Sequence, residues 1–496
     1  MKKKSPHPEW AVKYRTPGTE LKKISDKYYL YNVTSVYDKK TKKSKKVSLG
    51  IIGRITEEKG LIPSDKQKLR EKSKLTINQK ESFALEYGFS KWLVDTLEAS
   101  GILGDLKLHF PKLWQFIVLM IYSRIAHKSP LKNIPFHQQH SSISDLIDWE
   151  ENMTDQKVSD LLYSLGSKAK SIHNLMQPKS AEKRTVLIDA TDIALNSKGI
   201  SLSQKGYNSD MNYNPQFVLL YLYDAITSKP IYYRLLPGNI REVSAMKNII
   251  SLCGLRNCIY IGDKGFYSET NISSLELKNM EYVIPLKRDN KLIDYSQLKE
   301  LELSGNYFEY DNRFIFHTES TQIEKRTIEL FYDSRLKELE KTDYLKRIRT
   351  VPEKYSKEKF NTKLESMGTL ALIHNTDKSA QEIYTEYKSR GEIEQFFDHL
   401  KNTLDASTSH MQREESLNGW MFINHLSMLI VYELFELLKN TPLNKKHMLN
   451  HKYSIQDVIM HLQSLQKINY AKNKSIITEP NKLTKTLLSK LKISIT

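Results

Sequence analysis

QEIYTEYKSRGEIEQFFDHLKNTLDA, residues 381–406, sets four polar side chains at fixed spacing among helix-forming residues: Tyr387, Arg390, Glu394 and Lys401. Read as one long helix at about 100° per residue, the stretch places all four within about 60° of one another. Ile383, Phe396, Phe397 and Leu400 supply apolar surface for packing elsewhere on it. Ion pairs at such spacings contribute only a few tenths of a kcal/mol to a helix. A carboxylate between an Arg and a Lys, with a phenol beside them, can however hold a metal ion while its neighbours hold phosphates.

Upstream, residues 185–193, TVLIDATDI, begin with a continuous apolar run of the kind buried on both faces of a sheet, and end in acid. Asp189 and Asp192 are both candidates for a second carboxylate. Their odd separation puts them on opposite sides of a strand that continues through both. Residues 217–223 and 230–236 read as two further strands joined by a turn at 224–229. Pro237-Gly238-Asn239 closes that hairpin before a helix at about 243–252, and a fourth strand at 258–262 delivers Asp263 into the segment KGFYS. Three strands, a helix, then a strand ending in Asp is the order of a ribonuclease H-like core. A fifth strand, YVIPL at 282–286, is followed at once by Lys287 and Arg288.

The pattern Tyr387-x2-Arg390-x3-Glu394-x6-Lys401 resembles, at every fixed position, the Tyr-Arg-Glu-Lys signature of cut-and-paste insertion-sequence transposases of the DDE type. GDKGFYS resembles the second-aspartate motif of the same family, and Asp189-Ala190-Thr191 its first. The resemblance therefore favours Asp189 over Asp192 and implies Asp189, Asp263 and Glu394 as catalytic residues and metal ligands. It implies two Mg²⁺ ions, with Mn²⁺ as a substitute, because hard cations prefer carboxylate oxygen. Tyr387, Arg390 and Lys401 are implied as DNA-phosphate-binding residues. The implied activity is metal-dependent cleavage of double-stranded DNA at terminal inverted repeats, then strand transfer into target DNA through a hairpin on the excised end. Two DNA ends must be joined coordinately, so a homodimer in the synaptic complex is expected. The alternatives are a ribonuclease H-like nuclease that does not join strands, and a transposase-derived DNA-binding protein.

Between the fifth strand and the signature lie roughly a hundred residues more than a compact core requires, which marks an insertion. Residues 306–332 alternate aromatic and polar side chains and read as β-hairpins; 333–365 read as a charged helix; the core resumes at 368–373. In the transposases resembled, such an insertion holds a flipped base or hairpin with an aromatic side chain. The five Trp, at 10, 92, 114, 149 and 420, all lie outside it, leaving Tyr307, Phe308, Tyr310, Phe314 or Phe316 as stacking candidates.

The 496 residues carry a formal charge of +18, which points to a polyanionic partner. Residues 1–80 hold 22 Lys and Arg against 8 Asp and Glu, and 441–496 hold 10 against 2, leaving the middle slightly acidic. Residues 27–36 and 46–55 read as a basic hairpin whose Tyr and Lys suit DNA contact. From 81 to about 177 the pattern is helical, consistent with DNA-end binding. Helices are also expected at 416–439, 453–468 and 483–493. Two Cys, at 253 and 258, are too few for a disulfide framework or a zinc site. No signal-peptide run follows the basic N-terminus, and the apolar runs 113–126 and 420–438 carry polar side chains that suit buried core rather than membrane. A cytoplasmic, nucleoid-associated protein with no membrane role is expected.

The fold class is thus mixed α/β: a ribonuclease H-like core with a β-rich insertion before the catalytic-Glu helix, an N-terminal basic hairpin and helical domain, and a helical C-terminus. The divisions fall at 1–80 (basic hairpin), 81–180 (helical domain), 181–288 with 368–440 (catalytic core), 289–367 (insertion) and 441–496 (C-terminal region).

Overall fold

The computed structural model describes residues 6–38, 43–64, 83–177, 184–206, 213–225, 227, 229–240, 253, 258–301, 306–323, 325–471 and 474–495. The chain divides into two compact units, one of residues 1–84 with 467–478 and the other of 85–466 with 479–496.

The first unit is built on a four-stranded antiparallel sheet of Thr19–Ile24, Lys27–Asp38, Lys43–Thr56 and Gly60–Pro63, in that order. The expected basic hairpin is its two long central strands, paired from Tyr28 with Ile55 to Asp38 with Lys43. Ala11, Leu21, Leu30 and Ile55 form a small core on one face. Toward the far end of the hairpin, Val36, Tyr37, Val47 and Leu49 are exposed among lysines.

The second unit is organised by a mixed sheet. Its first five strands in the chain are β1 (Arg184–Leu195), β2 (Pro215–Asp224), β3 (Lys229–Pro237), β4 (Cys258–Ile261) and β5 (Glu281–Pro285). β1 pairs antiparallel with β2, and β2 with β3. On its other side β1 pairs parallel with β4, and β4 with β5. The spatial order 3-2-1-4-5, with only the second strand antiparallel to the first, is that of a ribonuclease H-like core. The central strands are apolar because both faces are covered: Val186, Leu187, Ile188, Tyr260 and Ile261 are fully buried. The helix expected at 243–252 lies outside the described residues.

The insertion contributes β6 (Tyr307–Tyr310), β7 (Arg313–Ile323) and β8 (Arg326–Tyr332), and the core resumes with β9 (Thr369–His374). These form hairpins as expected, but they also extend the core sheet: β8 pairs with β9, and β9 pairs antiparallel with β5. The charged segment forms two helices, Ser334–Thr350 and Lys357–Lys363, rather than one. Arg326 ties the insertion to the helix Glu269–Glu276, with 2.7 Å contacts to Glu269 and to Glu276.

Helices from residues 88–177 pack on Glu414–Asn440, the one helix among the described residues long and apolar enough to cross a membrane, which is mostly buried. Where it crosses Asp155–Gly166, the backbones nearly touch. A Cβ on Gly166 would lie 1.6 Å from the Glu415 carbonyl oxygen, and one on Gly419 2.4 Å from that of Leu162. One expected C-terminal helix is shorter than the sequence suggests: Ile455–Gln463 ends there, and Gln466–Ala471 pairs with Lys474–Ile477 as a hairpin. The Ile residues at 468, 476 and 477 favour that extended conformation.

Candidate active site

β1 and β4 run parallel with Ile261 beside Leu187. Continuing that register brings Asp263, two residues past Ile261, alongside Asp189, two past Leu187. Burial of the strand residues before them fixes both backbones, whereas both side chains are partly exposed, Asp189 from within β1 and Asp263 from just past the end of β4. Asp263 ends β4 in extended conformation and opens the short 3-10 turn Lys264–Phe266.

The signature stretch departs from one long helix. Ala380–Lys388 ends at Ser389, whose hydroxyl donates to the Glu386 carbonyl. The chain then turns tightly through Arg390, whose N–H reaches the Tyr387 carbonyl, before Gly391–Asp398 continues helical. His399–Thr403 widens into a π-helical turn, closed by the Leu404 N–H on the His399 carbonyl. Ile393, Phe396, Leu400 and Leu404 all stay buried, one apolar face carried through both the regular and the widened turns.

That geometry brings Asp189, Asp263 and Glu394 around one guanidinium. Arg390 Nη1 lies 3.6 Å from Asp189 Oδ2 and 3.2 Å from Asp263 Oδ1, and its Nη2 donates to Glu394 Oε1. Desolvation is the largest influence on Asp189, raising its pKa to about 6; Arg390 and the Ala190 N–H pull it down, and the neighbouring carboxylates push it up. Burial outweighs the ion pair because 3.6 Å is too long for a hydrogen bond. Arg390 is itself partly buried, which opposes its charge, yet Asp189 and Asp263 hold it above the usual range. Tyr387 feels the same cluster: burial raises its pKa first, Arg390 lowers it, and the carboxylates raise it again. Lys401, on the π-helical turn, forms no ion pair with the trio among the described residues. Asp192 projects to the opposite face of β1, where Gln216 Nε2 donates to its Oδ1 at 3.2 Å.

The donor set is the hard-oxygen kind that Mg²⁺ or Mn²⁺ takes. Among the described residues no three His, Cys, Asp or Glu side chains close on a common point; the three carboxylates instead each meet Arg390. Their hard-oxygen chemistry suits a divalent cation, and in this arrangement they surround Arg390 rather than one common point.

The scaffold behind the site uses residues that sequence reading did not single out. Tyr221, opposite Asp189 on β2, packs on Phe396 with ring centroids 4.6 Å apart and rings tilted by 55°, and hydrogen-bonds His425 Nδ1. Arg124, buried inside an apolar helix, donates to the Leu404 carbonyl at the end of the π turn and to Asn424 Oδ1 at 3.1 Å. A lone Arg in an apolar run was the only signal for it. Glu386 accepts from Lys378 and anchors the helix before Arg390 near Thr185 of β1. Lys439 pairs with Glu392 at 3.2 Å, fastening the Glu394 helix to Glu414–Asn440. Of the aromatic candidates in the insertion, Phe308 and Tyr310 turn inward against Tyr384. Tyr307 and Phe314 are exposed and meet edge to face at 5.5 Å.

The family model described as "Transposase DDE domain" matches residues 180–430. Among solved structures, the chain is similar to a piggyBac transposase synaptic complex with hairpin DNA, at 10% identity and a TM-score of 0.38, covering 70% of this chain and 69% of that one. It is also similar to a Mos1 transposase paired-end complex with the left transposon end, at 15% identity and a TM-score of 0.15, covering 32% of this chain and 54% of that one. A comparison with curated proteins found no match.

Proposed function

The chain belongs to the DDE-domain transposases, and from that premise we propose that Asp189, Asp263 and Glu394 are its catalytic carboxylates and metal ligands. The protein cleaves DNA and transfers strands. The observation that carries the residue assignment is the convergence of three carboxylates, from two strands and a helix, on Arg390.

DDE transposases use divalent metal ions; here we assign two Mg²⁺, with Mn²⁺ able to replace them. Bound divalent ions supply Lewis-acid neutralisation of charge at the scissile phosphate. Asp189, within β1, and Asp263, just past the end of the adjacent β4, fix where that charge sits. Glu394, more exposed on its helix, completes the set from the solvent side. Arg390 holds DNA phosphate beside the reacting one, Lys401 steers the strand from the π turn, and Tyr387 orients the neighbouring backbone. Water is the first nucleophile and frees a 3′-hydroxyl; that hydroxyl attacks the opposite strand, forming a hairpin on the excised end and releasing the flanking DNA; a second water opens the hairpin and restores the 3′-hydroxyl, which then joins target DNA.

The partners are double-stranded terminal inverted repeats and target DNA, bound by a homodimer in the cytoplasm at the nucleoid. The basic hairpin of the first unit contacts DNA backbone, and the helices of residues 81–180 bind the transposon end. The insertion, residues 289–367, holds the hairpin, and 441–496 supports the assembly.

The test incubates the full chain with its element's end sequences and a plasmid, with Mg²⁺, Mn²⁺ or EDTA, for wild type and Glu394→Gln. Joined products that need both metal and Glu394 are expected. Cleavage without joining would make it a nuclease, and binding without cleavage a DNA-binding protein.

A further inference from the structure

We propose that Arg390 is a resident counter-ion that occupies the metal site of the DNA-free protein, and that DNA phosphate draws it away so that metal loads only on bound DNA. The inference rests on the reading of Asp189, Asp263 and Glu394 as metal ligands.

Three carboxylates gathered at a partly buried strand edge repel one another unless a cation lies among them. Arg390 supplies it: one nitrogen faces Asp189 and Asp263 at 3.6 and 3.2 Å, and another donates to Glu394. A guanidinium that neutralises these oxygens competes with any divalent ion for the same lone pairs. Its stem stands on the tight turn between Ala380–Lys388 and Gly391–Asp398, and rotation about its side-chain torsions moves the head without moving either helix. A phosphate offers that head a bidentate partner of equal charge, so exchanging carboxylate for phosphate costs Arg390 little. Metal binding and DNA binding then favour each other, and linkage requires the coupling to be reciprocal.

The experiment measures Mn²⁺ binding to the full chain by electron paramagnetic resonance, with and without a duplex carrying the element's end, each corrected for Mn²⁺ on the duplex alone. The proteins are wild type, Arg390→Gln, Arg390→Lys, Asp189→Asn and Lys264→Gln, each checked for its unfolding midpoint. Lys264 neighbours Asp263 but forms no ion pair with the trio among the described residues, so it controls for loss of a nearby charge. Without DNA, Arg390→Gln should bind Mn²⁺ at least tenfold more tightly than wild type, Arg390→Lys should fall between, and Lys264→Gln should stay within about twofold. The duplex should tighten Mn²⁺ binding more in wild type than in Arg390→Gln. An unchanged affinity in folded Arg390→Gln, or an equal gain in Mn²⁺ affinity without DNA in Lys264→Gln, overturns the counter-ion. Mn²⁺ binding by duplex-bound Asp189→Asn equal to that of duplex-bound wild type overturns the metal-ligand reading beneath it.

Discussion

Asp189 and Asp192 are three residues apart on one strand, and the difference between them is the face they occupy. Asp189 shares Arg390 with Asp263 and Glu394, whereas Asp192 bonds to Gln216 on the other side. Asp189→Asn, Asp263→Asn and Glu394→Gln should each lower metal-dependent end cleavage by about a thousandfold or more, since each removes charge that steadies the reacting phosphate. Asp192→Asn should stay within about tenfold of wild type in the same assay. The three carboxylates were legible from sequence because each ends or punctuates a pattern: two apolar runs that stop in acid, and one stretch with a fixed polar quartet. What sits between them was not. Arg390 reads locally as an i,i+4 partner of Glu394, and nothing in its neighbourhood reveals two aspartates brought to it from about 130 and 200 residues upstream.

At the scale of elements, the five core strands lie within two residues of where the apolar runs place them. Periodicity reports which faces are covered, and these strands are covered on both. It does not report pairing, so the insertion read as separate hairpins although β8 and β9 join them to β5. Nor did it foresee the turn at Arg390 or the widened turn at Lys401, because the apolar spacing of Ile393, Phe396, Leu400 and Leu404 is that of an uninterrupted helix. The crossing of Asp155–Gly166 over Glu414–Asn440 is equally non-local. Gly166→Ala should destabilise the protein by about 2 kcal/mol or more, because a Cβ there meets a main-chain carbonyl that no rotamer change relieves. Denaturant unfolding of the variant, set beside Ala at the exposed Gly104, where a Cβ meets nothing within 4 Å, checks it.

Across the whole molecule two bulk properties follow. His425 is fully enclosed by the core, and burial lowers its pKa to about 3. The unfolded chain binds that proton near pH 6.5 and the folded protein does not, so this contribution is present above pH 6.5 and fades as pH falls toward 3. Between pH 6.5 and 5 it amounts to about 2 kcal/mol. The stability gap between wild type and His425→Gln should therefore shrink by about that much when urea unfolding is repeated across the interval. The second property is salt dependence. With +18 formal charge, affinity for duplex DNA should fall steeply and log-linearly with salt. Lys43→Gln with Lys45→Gln, on the exposed basic hairpin, should make the slope shallower by about 1 for each phosphate the variant no longer neutralises.

Arg124 has one more consequence, for how the chain is made. Its guanidinium is paired with the Leu404 carbonyl 280 residues further along and with Asn424 300 residues along. At roughly 5–20 residues per second, a ribosome takes about 15–60 s to deliver the first partner after Arg124 emerges. Until then the early helices carry a charge they cannot bury without penalty, and they wait open for the late segment. Docking of the early helices on the catalytic helix therefore has to follow synthesis of the segment through Asn424.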